Sequence, residues 1–190
     1  DHVIEYFTEL GEKTNLNLIV HVYPAWTKAG YSSKLLGQLS KLKWVTTFKV
    51  GTREMSQYAR DIKEIRKNSK DVKILTCHDE YLLASMVQGV DGALVGFASF
   101  IPELVVALFQ AVKEGDLFKA QKIQEEILPL KEVVYSSGEP SGEAHARMKT
   151  AMYLAGRIKS DFVRRPIRKP TGKALEAIKN AVKNSKLKKI

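Results

Sequence analysis

Two residues in this sequence have the type and setting for covalent chemistry on a carbonyl compound: Lys49 and Tyr23. Tyr23 closes the β-rich run that begins at Leu18, and Lys49 lies near the end of the run from Trp44 to Val50. Side chains alternate along a strand, so Ile19, His21 and Tyr23 share one face, as do Val45, Thr47 and Lys49. The opposite faces, Leu18/Val20/Val22 and Trp44/Thr46/Phe48/Val50, are bulkier and suit packing under helices. The mixed face then turns inward, with Tyr23 and Lys49 at the C-terminal ends of their strands. In a closed ring of parallel strands that rim is where catalysis is done. Flanked by Phe48 and Val50, a lysine there loses hydration, which favours its free amine. A free amine attacks a ketone to form a Schiff base, whose protonated form is an electron sink. A phenol on the next strand can relay protons. On this pattern alone, a solvated strand-end lysine and a tyrosine buried only for packing remain the plain alternatives.

The elements that must position this pair recur with a regular pitch. Four β-rich runs, Leu18 to Tyr23, Trp44 to Val50, Val72 to Cys77 and Gly92 to Val95, are separated by segments with helical stripes. Leu35, Leu36 and Leu39 mark the first stripe, Met55, Ala59, Ile62 and Ile65 the second, and Gly89 caps a third from Glu80 to Gln88. Alternation of this kind predicts βα units and a parallel sheet. After Gly96 the pattern becomes all-helical: Pro102 to Lys113, a helix capped by Asp116 that Pro129 bends or ends, Glu143 to Arg157, and Gly172 to Asn184 capped by Thr171. The expected fold is therefore α/β, a (β/α)8 barrel of which this chain carries roughly the last four βα units, followed by a helical cluster. We place the barrel half at residues 1–115 and the helical extension at 116–190. Four strands make half a ring, and Val3, Phe7 and Leu10 put a helical stripe at the very start; the expectation is that another βα half precedes Asp1.

Composition narrows the class. With 44% hydrophobic and 27% charged residues the chain reads as an ordinary globular protein. It has no apolar run of membrane-spanning length. A single cysteine, Cys77, suits a reducing compartment, and a cytoplasmic location is expected. The net charge of +10 resides in the tail: residues 157–190 hold twelve basic and two acidic residues, and the preceding 156 are balanced at nineteen of each. A solvated terminal helix is the expected reading, since no aromatic residues interleave with the last lysines to stack on bases. No nucleic-acid or membrane partner is expected.

The order and spacing of short motifs resemble the superfamily of dihydrodipicolinate synthase and N-acetylneuraminate lyase, pyruvate-handling class I aldolases. Tyr23 is followed by Pro24 and, seven residues on, by Gly30; Thr47-Phe48-Lys49 stands where that family has its lysine motif; Asp79-Glu80 matches an acidic pair before a helix, in the form of the neuraminate lyase branch. Gly89-Val90-Asp91-Gly92-Ala93, Pro102-Glu103-Leu104, Ala111 to Asp116, Ala120 and Leu128-Pro129-Leu130 continue the likeness. The resemblance implies that Lys49 forms the imine with pyruvate or another 2-oxo acid and that Tyr23 relays protons. It implies Lys28 as a partner for a substrate carboxylate, Leu94 lining the pyruvate pocket, an aldehyde co-substrate, no metal or organic cofactor, and a homotetramer. Aldol chemistry of the synthase kind is expected first. Aldolase or dehydratase action on a 2-keto-3-deoxy sugar acid, neuraminate lyase-like action, and a non-catalytic barrel homologue or fragment are the alternatives. Departures are specific: Lys28 replaces an arginine, Cys77 a glycine, Ser99 an asparagine and Thr47 a glycine, and a paired-threonine loop has no counterpart.

Other polar residues carry less. His21 reads as a hydrogen-bonded core histidine, Cys77 as inert packing, and Asp79 and Glu80 as carboxylates answering a helix N-terminus. No histidine or cysteine spacing fits zinc, and no glycine-rich phosphate cradle is present. The run Ser136 to Gly142 reads as a flexible connection.

Overall fold

The computed structural model describes residues 2–135, 142–185 and 187. The chain divides into two compact units, residues 1–95 and 96–190. The expected barrel half, 1–115, spans the first unit and the opening helices of the second.

The first unit runs α1 (His2–Thr14), β1 (Leu18–Val22), α2 (Pro24–Thr27), α3 (Ser33–Leu39), β2 (Val45–Val50), α4 (Met55–Asn68), β3 (Lys73–Thr76), α5 (Leu82–Met86) and β4 (Gly92–Ala93). Its strands are all parallel and ordered β1-β2-β3-β4. Sequential order in a parallel sheet is what successive βα units of a barrel produce. Helix starts follow local chemistry. The Ser32 hydroxyl accepts the amide of Leu35 at the head of α3, and the Glu54 carboxylate accepts the amides of Ser56 and Gln57 at the head of α4. Pro24 opens α2, where its missing N–H costs nothing.

One face of the sheet is covered. Val20, Val22, Phe48, Val50 and Ile74 are all buried, and at about 25 cal/mol per Å² of apolar area this burial drives the unit's folding. The other face is open, with Ile19 55% exposed and His21 exposed. Strict alternation fails at one place. Leu18 pairs with Val45, but Ile19 pairs with Thr47, so β2 carries one extra residue. Val45 therefore joins the buried set, 2% exposed, instead of lying inward with Lys49.

The second unit contains α6 (Phe97–Phe100), α7 (Pro102–Lys113), α8 (Leu117–Val134), α9 (Gly142–Leu154) and α10 (Gly172–Asn184). Pro129 does not end α8, which continues to Val134. Ile127, Leu130 and Val134 are fully buried on either side of the proline, and that packing offsets the lost backbone bond. Asp116 caps α8 through the amide of Lys119 at 2.9 Å. Thr171 occupies the cap position of α10 with no side-chain cap bond. Arg157 binds both carboxylate oxygens of Glu103 at 2.9 and 3.1 Å, tying the end of α9 to α7. Of the run from Ser136, only Gly142 falls within the described residues.

Candidate active site

The C-terminal ends of β1, β2 and β3 bring a cluster of polar side chains to the open face. Lys49 is half-buried there and pairs in register with His21 on β1 and Leu75 on β3. Phe48 and Val50 do not desolvate it, because both point into the covered face. The neighbours that feel its charge are His21 and Cys77. His21 stacks on Tyr23, with ring centroids 5.3 Å apart and planes 16° from parallel. Lys49, near the end of β2, and Tyr23, directly after β1, thus flank one imidazole that pairs in register with the first and stacks on the second.

The expectation of a core histidine at position 21 is overturned, since the residue is exposed on the open face. Loss of hydration and then the Lys49 charge hold its imidazole below the ordinary histidine value. Its Nε2 lies 3.6 Å from the Cys77 Sγ. Burial raises the Cys77 thiol above its usual value, the Lys49 charge works against that, and the carboxylates of Asp79 and Glu80 add to the rise.

Tyr23 is half-buried, and its hydroxyl is hydrogen-bonded to Arg53. Burial raises the phenol above its ordinary value, and the Arg53 hydrogen bond opposes the rise. Arg53 in turn binds Glu80, with Nη2 donating to Oε1 at 2.7 Å. Glu80 therefore does more than answer a helix N-terminus. Gly51 makes room for this arrangement. A Cβ there would lie 2.6 Å from Tyr23 Cδ2, 3.0 Å from the Val22 carbonyl oxygen and 3.1 Å from Cys77 Sγ.

The loop that carries Arg53 is pinned from two sides. The Thr52 hydroxyl donates to Asp61 Oδ2 at 2.9 Å, and the Thr52 carbonyl accepts from His78 Nε2 at 2.9 Å. Asp61 also accepts from Ser33 and Gln57, both at 2.7 Å, so α3, α4 and the loop share one buried carboxylate. His78 is buried between Tyr58 and Tyr81, each in edge contact at 5.6 and 5.7 Å. Burial lowers its pKa, as does Arg53, against the opposing hydrogen bond to Thr52.

Two residues singled out from sequence lie apart from this cluster's contacts. Lys28 is exposed in a left-handed conformation, and its Nζ donates to the Ala25 carbonyl at 2.7 Å. Leu94, 45% exposed, follows β4 and donates its amide to Thr76. Arg53 and Gly51 went unread in the sequence. A glycine and an arginine following a strand-end lysine were the available signal. Among the described residues no group of three His, Cys, Asp or Glu side chains could hold a metal, and no helix is long and apolar enough to cross a membrane.

Successive parallel βα units with reactive side chains at the strand ends define a section of a (β/α)8 barrel. The chain belongs to the dihydrodipicolinate synthetase family, whose model it matches over residues 1–185. It is 25% identical to a 4-hydroxy-tetrahydrodipicolinate synthase of Thermodesulfovibrio yellowstonii, covering 83% of this chain and 51% of that protein. It is 22% identical to an N-acetylneuraminate lyase of Escherichia coli, covering 94% of this chain and 55% of that one. A prophage protein of the dihydrodipicolinic acid synthase family from Escherichia coli K12, solved in complex with pyruvate, superposes with a TM-score of 0.83 at 21% identity, covering 98% of this chain and 61% of that one. The chain thus spans between half and two thirds of the length of these proteins.

Proposed function

We propose that this chain contributes the imine-forming half of a lyase that acts on pyruvate or a related 2-oxo acid. The observation that carries the reading is the placement of Lys49 and Tyr23 on neighbouring strand ends, joined through His21 on the open face. The Lys49 amine adds to the ketone carbon to give a carbinolamine. Tyr23 gives its proton to the departing hydroxyl, the C–O bond breaks, water leaves, and the nitrogen lone pair completes the C=N bond. The protonated imine then accepts the electron pair released when a carbon–carbon bond is cleaved, or gives a proton from its neighbouring carbon to the Tyr23 phenolate and becomes the enamine that attacks an aldehyde. This sequence needs no metal or organic cofactor.

Membership of the synthetase family supports the lyase class, and the pyruvate complex of the structural relative supports pyruvate as the shared fragment. A synthase-like condensation is the first reading. The Asp79-Glu80 pair favours a sugar-acid or neuraminate lyase-like substrate as the second, because Glu80 stands beside Tyr23's own partner, Arg53. Leu94 lines the pyruvate pocket in this reading. Lys28 serves a carboxylate only after its amine leaves Ala25. A homotetramer in the cytoplasm completes the proposal.

Incubating the full-length protein with pyruvate and borohydride tests it. Reduction should add the pyruvate-derived group to Lys49, seen as a mass increase on the peptide containing that residue and absent in Lys49→Ala. A folded protein that gains no adduct would be a non-catalytic homologue.

A further inference from the structure

The Tyr23 phenol has one partner that the lyase reading does not use. Arg53 follows the Lys49 strand by three residues, and its side chain is hydrogen-bonded both to Tyr23 and to Glu80. Three observations make this a built arrangement. The Arg53 side chain is 21% exposed and that of Glu80 5%, so their ion pair is largely shielded from water. Thr52, next to Arg53, is anchored by Asp61 through its hydroxyl and by His78 through its carbonyl. Gly51 clears the space into which the Tyr23 ring fits.

Resting on the lyase reading, we propose that Arg53 is the positioning residue for the Tyr23 phenol: braced by Glu80, its guanidinium holds the phenol oxygen and turns the hydroxyl proton away from itself, toward the substrate. A guanidinium only donates hydrogen bonds, so the phenol oxygen must accept, and its own O–H is left for another acceptor. When that proton passes to the departing oxygen of the carbinolamine, the phenolate left behind sits against a fixed positive charge. A charge-assisted bond of this kind strengthens as the oxygen becomes anionic. Arg53 thereby favours the form of Tyr23 that takes the proton back. Lysine in its place would keep the charge and lose the planar fork that binds Tyr23 and Glu80 together.

The groups facing Tyr23 come from three strand ends. His21 stacks on it from β1, and Lys49 on β2 acts on His21. Arg53 follows β2, and Cys77, Asp79 and Glu80 follow β3, with Asp79 acting through Cys77. Burial, Cys77 and Glu80 raise the phenol, and Arg53 lowers it. Removing Arg53 must therefore move the phenol further up.

The full-length protein with Arg53→Met, Arg53→Lys and Glu80→Gln tests the assignment. Borohydride trapping with pyruvate should still label Lys49 fully in each variant on long incubation. In Arg53→Met, kcat should fall about 10- to 100-fold, with the KM for pyruvate changed far less. The alkaline limb of the kcat profile should move to higher pH. Arg53→Lys should recover part of the loss, and Glu80→Gln should lower kcat less while moving the Tyr23 titration down, because it removes a charge that raises the phenol. Tyrosinate absorbance, taken as the difference between each protein and its Tyr23→Phe counterpart, reads the phenol directly without turnover. An unshifted Tyr23 titration in Arg53→Lys, with the alkaline limb in place, overturns the proposal even if Arg53→Met does not fold. Absence of any adduct in the unsubstituted protein removes the lyase reading instead, and the absorbance titration still decides whether Arg53 holds the phenol.

Discussion

At the scale of single residues, the site depends on close approach as much as on chemistry. Gly51 has no side chain because the Tyr23 ring and the Cys77 sulfur occupy its place. Gly51→Ala must push Tyr23 off its position, and we expect a stability loss of about 1–3 kcal/mol together with a larger fall in kcat than in pyruvate labelling of Lys49. Urea unfolding and trapping on the same preparation check both halves. Tyr23→Phe keeps the ring stack with His21 and removes only the hydroxyl, so turnover should fall about 100-fold or more with little change in unfolding midpoint. A Tyr23→Phe enzyme of normal kcat would free the phenol from any role in proton transfer. Lys49 and Tyr23 were legible in sequence because strand alternation and a motif resemblance pointed to the same two positions. Arg53 was not, because nothing local to it says that its side chain crosses to Tyr23 and to Glu80, twenty-seven residues further on. His21 was misread because a histidine in an apolar run looks like core until the open face is known.

At the scale of elements, single polar side chains tie strand ends to helices. Asp91 accepts the amide of Ile74 at 2.7 Å and pairs with Arg66 at 2.5 Å, so one carboxylate holds the start of β3 and the end of α4 beside β4. Burial alone would raise its pKa, but the hydrogen bonds from Arg66 and the Ile74 amide outweigh it and leave the pKa lowered. Its contribution to stability is therefore present above the unfolded carboxyl value of about 3.9 and is lost as the pH falls through the lower folded value. Asp91→Ala should cost about 1–3 kcal/mol at neutral pH, with the gap to the unsubstituted protein closing below that range. His78 works in the same direction at a higher pH. Its folded pKa is lowered, so the unfolded chain takes up a proton first, and stability falls as the pH drops below about 6.5. His78→Gln, whose amide can still donate to Thr52, should flatten the part of the pH dependence that lies between pH 7.5 and 5; unfolding midpoints that fall just as steeply would clear His78. The helices and strands themselves were readable from apolar periodicity and caps. The passage of α8 through Pro129 was not, because tertiary burial of Ile127, Leu130 and Val134 decides it.

At the scale of the whole molecule, charge is divided unevenly along the chain. The first 156 residues are balanced, and the net charge of +10 lies in the last 34. Several of those cations are answered locally, Arg157 by Glu103, Lys169 by Asp161 and Lys179 by Glu176. We expect no binding to random-sequence duplex DNA tighter than about 10⁻⁶ M at physiological salt. Tighter binding that vanished on cutting the chain after Gly156 would restore a nucleic-acid role. Ile178 of α10 is fully buried, and Ile178→Ala should cost about 2–4 kcal/mol, read as earlier hydrogen exchange in α8, α9 and α10. The fold class was legible from the βα pitch, because each unit repeats the same local pattern. Chain sequence alone does not say where compact units divide, since that depends on contacts between distant helices.

The additional residue in β2 sets which side chains face each other across the strands. Counting evenly from Leu18 opposite Val45 would set His21 against Phe48 and Val22 against Lys49. The observed pairing, His21 with Lys49, exists only because the strand slips by one tooth just before the site. Deleting Thr46 would leave every reactive group in the sequence and almost every apolar residue in the core. The amine would also keep its partner, because losing the extra residue brings Ile19 opposite Thr47 and His21 opposite Lys49 by even counting, so a one-codon loss there should straighten the strand and leave the protein folded with its reactive pairing intact.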